Sequence, residues 1–187
     1  KAMGAEVHIT RSDVGKGHPE YYQDMAARLA KDIPGSFFAD QFNNPANPLA
    51  HETGTAPEIW AQTQHDVDAI VVGVGSAGTL TGLTRFFKRV QPALEMVLAD
   101  PVGSVMAEYS RSGKLETPGA WAVEGIGEDF VPSIADLSSV RHAYSISDEE
   151  SFDHARRLLK AEGILGGSST GTLLAAALRY CREQTAP

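Results

Sequence analysis

Apolar positions along the chain fall into two patterns, short β-branched runs and longer stretches at helical spacing. Ala69 to Val74 is a short β-branched run of the kind a strand buried on both faces requires, and Leu94 to Ala99, apolar apart from Glu95, predicts another strand. Ala5 to Thr10, Ser36 to Gln41 and Arg141 to Ile146 predict three further strands. Helical spacing appears over Pro19 to Ile33, with Tyr22, Met25, Ala26 and Leu29 on one face, and over Gly78 to Val90 through Leu80, Leu83, Phe86 and Phe87. Pro45 and Pro48 sit where a loop enters a helix running to about Thr63, and Ser104 to Ser110 predicts a short helix. Ser147-Asp-Glu-Glu150 has the form of a capping box opening a helix that carries Phe152, Ala155, Leu158 and Leu159 and ends near Gly163. A last apolar helix is predicted over Thr170 to Tyr180. Strands alternating with helices predict an α/β fold with a mostly parallel open sheet and helices on both faces.

Between these elements lie two turns rich in glycine and hydroxyl residues. Gly73-Val-Gly-Ser-Ala-Gly-Thr79 joins a strand to a helix, and Ile164-Leu-Gly-Gly-Ser-Ser-Thr-Gly-Thr172 runs into the last helix. A strand-to-helix turn aims unpaired N–H groups and the positive end of a helix at one spot, and glycines let a ligand come close, so a phosphate is the natural occupant. Gly73, Gly75 and Gly78 also satisfy G-x-G-x-x-G, and Asp100 ends the next apolar run, so a dinucleotide-binding domain of a dehydrogenase is one reading. Thr79 stands where a nucleotide triphosphatase loop needs lysine, which argues against that class. In open α/β sheets ligands sit beyond the carboxyl ends of strands, where the two turns could converge on one ligand. Trp121 to Pro132 mixes apolar residues with glycines, the mark of irregular backbone that something must approach.

Composition narrows the field. The chain has 187 residues, 42% hydrophobic and 21% charged, with a net charge of −8. The acidic balance without a basic cluster argues against nucleic acid and anionic membrane surfaces as partners, and no apolar stretch is long enough to span a bilayer. The single Cys181 excludes an internal disulfide, reads as a small core residue, and fits a reducing, cytoplasmic setting. No metal-ligand spacing is present. Lys1 to Val7 reads as a helix end, a glycine cap and a strand, as in a piece of a longer chain.

Four blocks in order resemble the pyridoxal-phosphate-dependent cysteine synthase and cystathionine β-synthase family, the β-replacement enzymes of fold type II. They are Gln41-Phe-Asn-Asn-Pro-Ala-Asn-Pro-Leu-Ala-His51, Gly73 to Gly82, Glu124-Gly-Ile-Gly-Glu-Asp-Phe-Val-Pro132, and Gly167-Ser-Ser-Thr-Gly171. The resemblance implies a fold like the tryptophan synthase β subunit, with residues 1–39 ending a small substrate-side domain and 40–187 forming most of a large cofactor domain. It implies that Gly75, Ser76, Ala77, Gly78 and Thr79 bind the cofactor phosphate. In that loop Ser76 replaces a threonine and keeps the donor, while Ala77 replaces a glycine and requires a negative φ.

Ser169 matches the serine that hydrogen-bonds the pyridine nitrogen, although its local sequence equally fits a helix N-cap. Gly125 falls in the wall beside the ring, and Gln41 matches a glutamine near the substrate carboxylate. His51 reads as a satisfied helix histidine. Asp129-Phe130 resembles bacterial cystathionine synthases, and Glu128 stands where animal members carry an aromatic residue. The lysine that links to the cofactor has no match: Lys31-Asp32 lacks the serine of the motif, and Lys1, Lys16, Lys88, Lys114 and Lys160 match nothing. The expected catalytic set within these residues is therefore empty. For the intact enzyme the resemblance implies serine or an O-acylated serine and a thiol, homocysteine or sulfide, as substrates, and a homodimer. A catalytically inactive module of the same fold is a further reading.

Overall fold

The computed structural model describes residues 2–11 and 13–184. The expected helix end at Lys1, Ser12 in the polar loop, and the last three residues lie outside the described residues. The chain forms two compact units, Lys1–Asp40 and Gln41–Pro187.

Among the described residues of the first unit the one regular element is α1 (Tyr22–Asp32). Its Ile33 N–H closes the last turn on the Leu29 carbonyl, and none of its residues is fully buried. The strands expected over Ala5 to Thr10 and Ser36 to Gln41 are absent. Both segments lack strand structure, with Ile9 86% and Phe37 84% exposed. A strand is held by its ladder, and among the described residues neither segment has a partner strand.

The second unit is a three-stranded parallel sheet in the order β1 (Ala69–Val72), β2 (Glu95–Pro101), β3 (Val140–Ile146). Ala69 to Val72 pair in register with Glu95 to Leu98. Between Met96 and Val97 the register to β3 shifts, so that Val97 faces His142. Alternation along the strands sends Val72, Met96 and Leu98 into one apolar cluster and Ala99 and Ile146 into another. The first is covered by α4 (Gly78–Val90), through Leu80, Leu83 and Phe87, and by Met106 of α5 (Met106–Ser112). The second is covered by Ala175 and Ala176 of α7 (Ser168–Glu183), with α6 (Asp148–Glu162) packed on α7. Helices on both faces of a parallel sheet are the expected architecture.

The helix expected to run to Thr63 is divided into α2 (Ala46–Ala50), a π-helical turn over His51–Thr55, and α3 (Ala56–Gln62). Pro57 is the physical reason: it has no N–H to continue the ladder, and the turn widens just before it. Ser147 caps α6 as expected, accepting from the Glu150 N–H at 3.2 Å, but the Glu150 carboxylate turns to Arg179 of α7 and leaves the box half made. Cys181, expected in the core, is exposed on α7. The helix turns it away from the stripe formed by Thr172, Ala175 and Ala176.

The α6–α7 crossing brings two helix backbones close together at Gly171. A Cβ on Gly171 would fall 1.8 Å from the Ser151 carbonyl oxygen, whereas one on Gly54 meets nothing within 4 Å. Gly171→Ala is expected to destabilise the chain by about 1–3 kcal/mol through overpacking. Gly54→Ala is expected to be neutral or to stabilise by up to about 1 kcal/mol through backbone entropy. Urea unfolding midpoints of the two variants against the parent check this pair.

Candidate cofactor site

The end of β1 leads into Gly73 to Ala77 and then directly into α4. Ala77 is the N-cap of α4, with φ 68° and ψ 1°, and no side chain caps that helix. The negative φ expected for Ala77 is therefore wrong. The turn into α4 needs a left-handed residue here, at a cost of about 1–2 kcal/mol for a residue with a Cβ. The buried methyl, packed into the cluster with Leu80 and Leu83, offsets part of that strain.

Among the described residues the N–H groups of Gly75, Ser76, Ala77 and Thr79 donate to no protein acceptor, and the Gly78 N–H reaches only the Ser76 hydroxyl, at 3.4 Å. Asn47 of α2 donates through Nδ2 to Ser76 Oγ at 2.9 Å and to the Gln41 carbonyl at 2.8 Å. The Ser76 hydroxyl thus accepts from Asn47 and keeps its own hydrogen for an outside acceptor. Thr79 Oγ1 lies 3.2 Å from His51 Nε2, and His51 Nδ1 lies 3.0 Å from Thr55 Oγ1. Clustered N–H and O–H donors at an uncapped helix start fit a phosphate ester, both in charge and in hydrogen-bonding capacity.

The segment 124–128 closes one side of this loop. A Cβ on Gly75 would lie 2.8 Å from the Gly125 carbonyl oxygen, so only glycine allows the contact. The Gly127 N–H donates to the Val74 carbonyl at 2.8 Å. The Glu124 N–H donates to Ser168 Oγ at 3.2 Å, which ties the first turn of α7 to the same segment. Gly167, not Ser169, holds the N-cap position of α7. Ser169 is the second residue of that helix, half-buried, and its hydroxyl makes no hydrogen bond among the described residues. The contacts therefore link Gly75 to Thr79, Gly125 and, through Asn47, the backbone of Gln41 in one cluster. Ser169 stands one residue beyond the Ser168 tie. The helix-histidine reading of His51 holds through Thr55, but His51 also supports Thr79. Asn47 and His51 both lie in the Gln41 to His51 block, but no local pattern assigns either to the site, since their partners Ser76 and Thr79 are 29 and 28 residues away.

Asp100 does not serve the role that a dinucleotide fingerprint assigns it. It is fully buried at the end of β2, where Oδ2 accepts from the Ala107 N–H at 2.8 Å and Oδ1 has no partner among the described residues. It caps the first turn of α5 and cannot meet a ribose. Burial pushes its carboxyl up to about 6, against the hydrogen bond from the Ala107 N–H, which favours the ionised form.

The parallel sheet covered by helices and the donor loop at the end of β1 fit the parallel-sheet class of pyridoxal-phosphate proteins. The model of the family described as "Pyridoxal-phosphate dependent enzyme" matches residues 1–187, and the chain belongs to that family. It is 39% identical over 183 residues to cystathionine beta-synthase of Mus musculus, covering 98% of this chain and 32% of that protein. It is 36% identical over 187 residues to cysteine synthase A of Escherichia coli K12, covering 99% and 57%. The crystal structure of the O-acetylserine dependent cystathionine beta-synthase of Helicobacter pylori superposes with a TM-score of 0.76 at 36% identity, covering 84% of this chain and 49% of that one. The chain thus spans between about a third and somewhat over half of the relatives' length. The family's cofactor is pyridoxal phosphate, and the dehydrogenase reading falls with Asp100. Among the described residues no helix is long and apolar enough to cross a membrane.

The Asp100 carboxyl holds its proton more tightly in the folded chain, about 6, than at its ordinary value of 3.8. Its contribution to stability is therefore largest below about pH 4, declines as the pH rises to about 6, and is level above. The decline amounts to a few kcal/mol, on the order of 1.4 kcal/mol per unit of pKa difference. Asp100→Asn keeps an acceptor for Ala107. Denaturant unfolding from pH 4 to 7 is expected to show a shallower decline for this variant than for the parent.

Proposed function

We propose that the chain is the cofactor-seating part of a β-replacement enzyme that joins serine, or an O-acylated serine, to a thiol. The products would be cystathionine from homocysteine or cysteine from sulfide. The single observation that carries this reading is the uncapped donor loop Gly75–Thr79 lying against Gly125, with the first turn of α7 tied to the same segment. Identity to both cystathionine and cysteine synthases supports the reaction class.

In this reading Gly75, Ser76, Ala77, Gly78 and Thr79 hold the cofactor phosphate through N–H and O–H donors, and Asn47 and His51 keep the two hydroxyls oriented. Pyridoxal phosphate, when bound, supplies an electron sink for cleavage at the β-carbon of the amino acid. Ser169 gives the ring nitrogen a neutral hydrogen-bond partner in place of a charge, which restrains the strength of that sink. Gln41 binds on the amino-acid side, and Gly125 leaves room for the ring. None of the lysines in these residues stands in the motif that links to the cofactor, so the covalent attachment and the α-proton transfer come from outside them. The first unit then belongs to the small substrate-side domain, and the 187-residue segment alone is inactive. The intact enzyme is a cytoplasmic homodimer.

The test is cofactor binding by the intact protein that carries this segment. It is expected to be yellow and to bind pyridoxal phosphate, and Thr79→Val is expected to weaken binding about tenfold or more, the loss of one hydrogen bond to a charged group. A colourless protein that binds a nicotinamide dinucleotide and no pyridoxal phosphate would overturn the reading.

A further inference from the structure

Glu128 is an unexpected residue in the wall of an anion site. Its backbone is fixed at three points: the N–H donates to Ser104 Oγ at 2.9 Å, while the carbonyl accepts from that hydroxyl at 3.2 Å and from the Val105 N–H at 3.0 Å. The side chain, half-buried, makes no hydrogen bond among the described residues. It reaches toward the phosphate loop, with Oε1 3.8 Å from where a Cβ on Gly75 would stand. A carboxylate there and a bound phosphate would repel each other at short range in a partly desolvated site.

The charged groups around it do not relieve this. Asp129 on its own segment and Asp100 at the end of β2 both oppose its ionisation, and the first turn of α4 carries no charged side chain. Burial, then Asp129 and Asp100, push the carboxyl up to about 8. Ionised, it would be a third negative charge in this wall; neutral, it is a fixed O–H donor beside the loop.

We propose that Glu128 acts in its neutral form as a positioning residue for the phosphate-bearing ligand, its carboxyl O–H donating into the site and its ionisation expelling the anion. The inference rests on the reading of Gly75–Thr79 as a phosphate loop. Binding is then coupled to retention of one proton by this chain, and ligand affinity falls as the pH passes the carboxyl's own titration.

The probe is pyridoxamine 5′-phosphate, which has the same phosphate handle but no aldehyde to react with lysine. Calorimetric titrations of the intact apoprotein would run from pH 6.5 to 9.5 in two buffers of different ionisation enthalpy. Affinity is expected to be steady at low pH and to fall by up to about tenfold per pH unit above about pH 8, with net proton uptake in that range. Glu128→Gln, neutral at every pH, should retain the low-pH affinity within a few-fold and lose both the fall and the proton uptake. A parent protein whose affinity stays flat across this range without proton uptake overturns the inference while leaving the phosphate loop intact, and this arm needs no variant. The same slope in Glu128→Gln as in the parent also overturns it. Failure to bind at any pH removes the phosphate-loop reading itself, and the inference with it.

Discussion

The contact between Gly75 and the Gly125 carbonyl is the constraint from which the rest of the site follows. It brings an irregular segment, 124–128, down onto the end of β1, where the Gly127 N–H takes the Val74 carbonyl that a further strand residue would have used. With that carbonyl satisfied from the side, the chain leaves the sheet at Gly75 and turns into α4 with its N–H groups unspent. Glycine at 73, 75 and 78 lets Ile126, the Gly125 carbonyl and Asn47 pack against this turn, where a Cβ would lie 2.7, 2.8 and 1.8 Å from them. The left-handed Ala77 shows that the geometry is held even where a Cβ strains it.

The electrostatics of the site are divided between two sides. The loop side offers partial positive charge from amides and a helix start, with Ser76 and Thr79 as orientable hydroxyls. The opposite side holds Asp100, Glu128 and Asp129, in an already acidic chain. Burial answers the resulting repulsion differently at each group. Asp100 is sealed and given the N–H of Ala107, so its role is to anchor α5 and, through Ser104 and Val105, to set the backbone of Glu128. The Glu128 side chain is only half-buried and has no hydrogen-bond partner among the described residues, and this makes it the group whose state a ligand can sense.

Much of the second unit was legible in the sequence because its signals are local. A β-branched run marked β1, a largely apolar run marked β2, helical spacing marked α4, α6 and α7, and Ser147 marked its own cap. The donor loop and its family resemblance were also readable, since glycines and hydroxyls at fixed spacing have few other uses. What failed depends on partners that sequence does not display. The strands expected over Ala5 to Thr10 and Ser36 to Gln41 had acceptable composition but no described strand to pair with. Ala77 was assigned a negative φ from its own preference, which the demands of the turn overrode. Cys181 was placed in the core by its apolar neighbours, although helical rotation sends it outward. Asn47 and His51 could not be assigned to the site from sequence because their partners, Ser76 and Thr79, lie 29 and 28 residues further along the chain.

The arrangement also separates holding from reacting. In the proposed reading, the donors of Gly75 to Thr79 would grip the phosphate end of the cofactor, remote from the bonds made and broken. Binding energy gathered on a non-reacting handle becomes useful to catalysis when it fixes the reactive end against groups supplied elsewhere. In the proposed reading Ser169 fits that division, since a neutral hydroxyl would orient the ring nitrogen without committing its charge. A rigid seat of this kind gains from being built on elements packed on both faces of a sheet. The loop inherits the rigidity of β1 and α4, and α7 inherits it from the Gly171 crossing with α6. The two ends of the seat are thereby fixed by different apolar clusters, and what connects them is the short backbone segment from Glu124 to Glu128.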